Sequence, residues 1–468
     1  MDFLKAKFRR FLALPLIGQF RAVTGIDRAI FFTAAGRGWS ALAGPVTLLF
    51  VASFLSAEEQ GFYYTFGSVL ALQVFFELGL AYVIMQVVSH EKAHLAWTPA
   101  GTVEGDPRAK ARLASIFRLA LKWYAVVALL VAGVLSAVGL LFFRSYQSAG
   151  SAVHWETPWL LVALFTGATL ALTPAYGVLE GCGKIAEIAS LALWQAVIGS
   201  VLVWATMSAG LKLYAAPAIA FASAAIGLTW FMRKRWAFFK DLLQTSIPAG
   251  TDVKWREEIL PFQWKIALSW LSGYFIFQLA NPVLFRFHGP VEAGRMGMTM
   301  RIIDSIMALS LAWVSTKSAP FGSYIAKRDY ATLNSTFRKA TIQAMSVLLL
   351  GGAAFMAAYF VLRSAGVGLI NRLLDPLAIC LLLGNAAINL VIFSQAIYLR
   401  AHKEEPFLIN SLIGAMIVPA IMYFLGGPYG ALGIAAGVFA GGLLVGLPLA
   451  TFIFYRKRAE WHTGEPSS

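Results

Sequence analysis

Seven ionisable side chains stand inside long apolar runs of this sequence: Arg37, Glu77, Arg118, Lys122, Lys265, Arg301 and Asp304. Placing such a charge in hydrocarbon costs about 2.5–3.5 kcal/mol on insertion scales, so each needs a partner or a task. Arg37 has no acid on its own run to neutralise it, which leaves another helix, water or a substrate. A guanidinium grips phosphate oxygens through two parallel hydrogen bonds, so Arg37 suits an anionic ligand. Arg301 and Asp304, three apart, share one helix face and can form either a structural ion pair or part of a ligand site. Arg118 and Lys122, four apart, also share a face. With Lys265 they lie near helix ends, from which a long cationic side chain can snorkel to the head groups or line the mouth of a cavity. Glu77, one turn after Gln73, either pairs with Arg37 across two helices or serves as a protonatable switch, because burial disfavours the charged carboxylate. The expected substrate-binding set is therefore Arg37, Arg301, Lys265, Arg118 and Lys122, and the expected coupling or gating pair is Glu77 and Asp304. Five cations against two acids favour an anionic substrate. Gln278, Asn281, Asn385 and Asn389 can hydrogen-bond sugars, although such groups more often bond neighbouring helices.

Enzymatic chemistry finds little support in these residues. No His/Cys/Asp/Glu spacing suits a metal, and no Gly-rich loop followed by Lys and Ser/Thr offers a nucleotide site, so neither a cofactor nor direct use of ATP is expected. The connections on the external side are about fifteen residues at most, too short for the loop that a polytopic glycosyltransferase, ligase or polymerase would need.

The elements that must position these groups follow from composition. Of 468 residues, 59% are apolar and 13% charged, against roughly 45–50% and about 25% in soluble proteins. Uncharged runs long enough for a bilayer recur at 29–55, 62–89, 115–143, 158–179, 187–208, 212–231, 261–285, 293–316, 340–362, 376–399, 407–425 and 430–455. Twelve helices put both termini on one side. Alternate loops carry 27 Lys/Arg on the side of the termini against 6 on the other, which makes the termini cytoplasmic. The net charge of +15 thus sets orientation rather than binding nucleic acid. Cys182 and Cys380 fall near opposite faces, so no disulfide joins them.

The fold class expected is an all-α polytopic membrane protein of about twelve transmembrane helices in two six-helix halves. Residues 1–28 form a cytoplasmic amphipathic segment, 29–231 the first half, 232–260 a basic cytoplasmic linker, 261–455 the second half and 456–468 a cytoplasmic tail. Aligning 54–61 with 287–294 matches Phe, Glu and Gly at one constant offset, as Phe54/Phe287, Glu59/Glu292 and Gly61/Gly294, at the same point of each half. Pro45, Pro282 and Pro419 can bend their helices. Gly433, Gly437 and Gly441 form a row for close packing.

A basic N-terminus, Gly36-Arg-Gly38 in the first run, Leu55-Ser-Ala-Glu-Glu-Gln-Gly-Phe-Tyr63 in the turn after it and Phe76-Glu-Leu-Gly-Leu80 in the second follow one another here. This order resembles the polysaccharide-exporter branch, of O-antigen flippase type, in the multidrug/oligosaccharidyl-lipid/polysaccharide (MOP) superfamily. The motifs cover residues 30–90, and the helix layout covers the chain. The resemblance implies two lobes rocking around a central cavity in the bacterial inner membrane. It implies a substrate, an undecaprenyl-diphosphate-linked oligosaccharide, carried from the cytoplasmic to the periplasmic leaflet for lipopolysaccharide, O-antigen or exopolysaccharide synthesis. Membrane lipid, a polysaccharide polymerase and chain-length proteins are the partners it implies. A multidrug exporter of the same superfamily is the alternative, and would be expected to carry more acid in its cavity.

Overall fold

A bilayer offers peptide groups no water, so an apolar chain must satisfy them inside helices. The computed structural model describes residues 28–146, 153–402 and 404–462. The expected N-terminal segment, apart from Arg28, and the end of the tail lie outside the described residues. The helices are α1 (Arg28–Phe54), α2 (Ala57–Leu70, with further turns to Glu77), α3 (Leu80–Lys92), α4 (Pro107–Arg144), α5 (Glu156–Gly181), α6 (Ile185–Ser208), α7 (Ala215–Trp230) and α8 (Trp236–Gln244). The second half continues with α9 (Leu260–Phe277), α10 (Ala280–Ser315), α11 (Ser318–Ala326), α12 (Tyr330–Ser364), α13 (Pro376–Arg400), α14 (Leu408–Gly441) and α15 (Leu447–His462).

Eight helical runs among the described residues are long and apolar enough to cross a membrane, nine if the bent pair α2–α3 counts as one. Two of them, Trp270–Ala326 and Leu408–His462, hold 57 and 55 residues. At about 1.5 Å per residue each far exceeds one crossing of about 30 Å. Both double back. In α14 the chain turns at Gly430 (φ 59°, ψ −145°). A Cβ on Gly433 would meet the Leu425 carbonyl at 2.2 Å and one on Gly437 would meet Ile421 at 2.3 Å, the pairing of an antiparallel hairpin. The expected glycine row is thus the inner seam of that hairpin. In α10 the turn is at Gly289 (φ 86°), before Pro290. Asn281 bonds Ser68 at 3.4 Å, while Arg301 Nη2 lies 3.7 Å from where a Gly67 Cβ would be. Both arms therefore come level with the same part of α2. These reversals split the two longest runs into antiparallel arms, and the 27-residue α1 precedes the eight to nine membrane-long runs among the described residues.

Three local expectations change. The second pass is not continuous over 62–89: a tight turn interrupts it at Ala71–Gln73, and left-handed Leu78 (φ 50°) and Gly79 (φ 67°) break it between arms that meet at 43°. Pro282 stands in the first turn of α10, after the break that follows Phe277, and so bends no continuous helix, whereas Pro45 and Pro419 lie inside theirs. The loops also carry structure. Strands β1 (Leu95–Trp97) and β2 (Val103–Gly105) pair antiparallel, Leu95 opposite Gly105. Within the linker, α8 buries Phe238, Phe239 and Leu242.

Residues 55–63 account for how one end of the molecule closes. Ser56 and Glu59 form a reciprocal cap that starts α2: Glu59 N donates to Ser56 Oγ at 3.1 Å and Ser56 N to Glu59 Oε2 at 2.8 Å. Glu59 also pairs with Lys212 at 2.9 Å. Gln60 donates across to the Gly294 carbonyl at 2.9 Å and the Arg372 carbonyl at 3.2 Å, and Arg372 donates back to the Leu55 carbonyl at 2.8 Å. Gly61 lets two backbones touch, since a Cβ there would lie 1.9 Å from the Pro290 carbonyl oxygen. A Cβ on Gly294 would approach Gly61 N to 2.9 Å, and one on Gly297 would approach Tyr64 to 2.5 Å. The contacts 61–294 and 64–297 keep the offset of the sequence repeat, so equivalent residues of the two halves meet. Phe62 then stacks on Trp155 and meets Phe285 edge-on at 4.9 Å, within a cluster that includes Phe66, Phe143 and Trp159.

Candidate functional site

Away from this closed end, α9, α10, α13, α14 and the residues just past α14 surround a cavity of about 570 Å³ that also reaches Ser68 of α2. Ligand sites commonly measure about 300–1,000 Å³. Of the seven intramembrane charges, Arg301 and Asp304 line it. Both are exposed there. Neither forms an ion pair within 4.0 Å among the described residues, although they lie within electrostatic reach of each other. Arg301 Nη2 comes within 3.7 Å of where a Cβ on Gly67 of α2 would be, so it stands where α2 and α10 meet. Gln278, Asn281, Asn385 and Asn389 all face the cavity. Asn410 and Ser411 join them from the first turn of α14, and Arg400 from the end of α13, where Glu405 holds its guanidinium at 2.7 and 2.8 Å. The charge pattern alone had counted Arg400 as a loop cation.

The other charges lie elsewhere. Arg37 is exposed on α1 and is not among the residues lining the cavity. It stands two turns before Gly44 on the same face, and a Cβ on Gly44 would be 4.0 Å from Ser305 of α10. Trp39 and Thr47, on another side, bond Ser200 and Trp204 of α6.

Glu77 forms no ion pair with Arg37; it sits beside the buried Tyr124 hydroxyl of α4, at the end of the turns that precede the bend. The Arg37–Glu77 pairing expected as one possibility is absent, because α4 lies against this part of the chain and supplies the polar neighbour.

Arg118 is committed to structure, donating through Nη2 to the carbonyls of Leu242, Leu243 and Thr245 at 3.3, 2.8 and 2.5 Å. It thereby caps the C-terminus of α8. Lys122 is exposed next to Trp123, which stacks on Trp255 at 5.3 Å. Lys265 belongs to α9, and its side chain lies outside the described residues.

The end opposite the closed one is tied by ion pairs. Arg112 bridges Glu91 at 2.7 Å and Glu258 at 2.5 Å, Lys110 pairs with Asp241 at 2.9 Å, and Arg235 pairs with Glu187. Burial disfavours the Glu258 charge, but Arg112 and the Lys254 amide outweigh it and hold that carboxyl below its ordinary range. No group of three or more His, Cys, Asp or Glu among the described residues could hold a metal, and Cys182 and Cys380 are free.

Fold and site together define a polytopic α-helical membrane protein whose helices close at one end and enclose a largely apolar cavity with a set of polar groups on its wall. No protein-family model matches the chain, and no curated protein does. Its fold is similar to that of solved transporters, among them members of the MOP superfamily. Over 92% of its length it is similar to 88% of lipid II flippase MurJ in an inward closed conformation, with a TM-score of 0.64 and 13% identity. Over 93% it is similar to 96% of an inward-facing multidrug resistance MATE family transporter, with a TM-score of 0.58 and 16% identity. A MOP superfamily transporter from Pyrococcus furiosus, described by the reverse polarity of its binding pocket, matches 94% of this chain over 96% of its own, with a TM-score of 0.57 and 17% identity.

Proposed function

We propose that this protein is a flippase of the bacterial inner membrane that moves an undecaprenyl-diphosphate-linked oligosaccharide outward by alternating access, for cell-surface polysaccharide synthesis. Residues 29–231 and 261–455 are the two lobes and 232–260 the linker. The charge bias of the loops supports placing the closed end outside and the cavity toward the cytoplasm. The observation that carries the proposal is Arg301, a guanidinium exposed in the cavity at the seam between α2 and α10 with no ion-pair partner among the described residues. Arg37, on the face of α1 that carries Gly44, is the proposed counterpart from the first half. A diphosphate leaving water needs fixed donors, and hydrogen bonds to charged groups contribute about 1.5–3 kcal/mol each.

Binding of undecaprenyl diphosphate to the purified protein tests this. Arg301→Ala and Arg37→Ala should each weaken it by roughly ten- to a hundredfold, with Arg363→Ala, at the end of α12, as the neutral control. Arg301→Lys should recover only part, because an ammonium lacks the two-pronged geometry. Intramembrane variants that fold and bind like the control would remove the diphosphate site from these arginines. Asp304 is the observation that favours a cation exporter of the same fold, for which Asp304→Asn would abolish binding of a lipophilic cation.

A further inference from the structure

The cavity in the second half is larger than a diphosphate clamp needs, and most of its polar wall is uncharged. Gln278, Asn281, Asn385, Asn389 and Asn410 bring five carboxamides to it from the break between α9 and α10 and from α10, α13 and α14, with the Ser411 hydroxyl beside them. Asn281 reaches Ser68, and the others have no side-chain hydrogen bond to another described residue. This differs from carboxamides that pack helices together in the same protein. Gln60 and Gln395 are buried and bonded to Gly294, Arg372 and Thr451. Asn385 and Asn389, four apart, share one face of α13, and Gly442 leaves Asn385 its room, since a Cβ there would lie 3.0 Å from Asn385 Oδ1. Phe277 and Phe393, 6.1 Å apart, add flat apolar surface to the same wall. A carboxamide both donates and accepts and carries no charge. A set of them beside aromatic faces matches the alternating hydroxyl and C–H surfaces of a neutral sugar.

We infer that this carboxamide-lined cavity holds the neutral sugar moiety of the substrate, while Arg301 at its edge marks where the glycan gives way to diphosphate. The inference rests on the flippase reading above. It assigns the two chemical parts of the ligand to different walls, so they can be tested apart. The probes are undecaprenyl diphosphate and undecaprenyl-diphospho-N-acetylglucosamine, each titrated onto the full-length protein in lipid nanodiscs. The unaltered protein should bind the sugar-bearing lipid more tightly. Asn385→Leu combined with Asn389→Leu should weaken that lipid by roughly tenfold and leave undecaprenyl diphosphate unchanged, which also shows that the variant is folded. Gly442→Ala, which crowds Asn385 without removing a polar group, should act in the same direction on the sugar-bearing lipid only. Equal binding of the two lipids by the unaltered protein, or equal loss of both in the Asn variants, would overturn the sugar site. So would unchanged binding of both. Failure of Arg301→Ala to affect either lipid would instead sink the diphosphate reading, while the Asn variants would still report on the sugar.

Discussion

At the scale of single residues, the charges that the sequence marks as costly separate into different tasks once their neighbours are known. Glu77 ends the turns before the bend in the second pass, next to the buried Tyr124 and one residue before left-handed Leu78. A non-Gly residue held at positive φ stores strain of about 1–3 kcal/mol and needs surrounding structure to maintain it. A carboxyl beside such a bend can change how firmly the bend is held. Glu77→Gln keeps shape but cannot titrate, so flipping in proteoliposomes should fall by roughly tenfold, equivalent to about 1.4 kcal/mol. The amount of folded protein should not change. Normal transport by Glu77→Gln across pH would reduce Glu77 to a packing residue. Arg301 and Asp304, both lining the cavity, stood out in the sequence because charge contrasts with apolar surroundings. The cavity carboxamides were visible too, but neutral amides carry no signal of whether they face a neighbour or an opening. Arg118 was misjudged for a related reason: its three acceptors are main-chain carbonyls at the end of a helix more than a hundred residues away, and sequence spacing gives no hint of them.

At the scale of elements, the presence of membrane-long helices follows from the length of apolar runs, and this was readable. Bends and reversals were less so. Gly289 fell in an expected connection and Gly430 at the start of an expected helix, neither marked as a turning point, and Leu78 gives no warning because leucine rarely takes that conformation. The β1–β2 hairpin was missed although Thr98-Pro99-Ala100-Gly101 supplies turn residues, because no alternating apolar pattern flanks them. The repeat around Gly61 and Gly294 was the informative exception, since a close backbone contact between equivalent helices requires the small residue in both. Gly61→Ala forces a Cβ against Pro290 and should cost about 1–3 kcal/mol of stability. Thermal unfolding in detergent should show this beside Gly133→Ala, where nothing lies within 4 Å and no loss is expected. An unchanged midpoint for Gly61→Ala would mean that the two helices part easily.

For the whole molecule, orientation rests on the loop charges, and it is open to a direct check. In a chain with Cys182 and Cys380 replaced by serine, a single cysteine at Gly366 should react with a membrane-impermeant maleimide added to intact cells. One at Ala249 should react only after lysis. The reverse pattern would put the closed end inside. At that closed end, the hydrogen bonds that fasten one half to the other all accept at main-chain carbonyls, those of Leu55, Gly294 and Arg372. A carbonyl remains whatever side chain its residue carries, so no missense change at Leu55 erases the acceptor. The fastening is inherited through its donors, and alleles that unlock this face should concentrate at Gln60 and Arg372, while substitutions at Leu55 leave its acceptor in place.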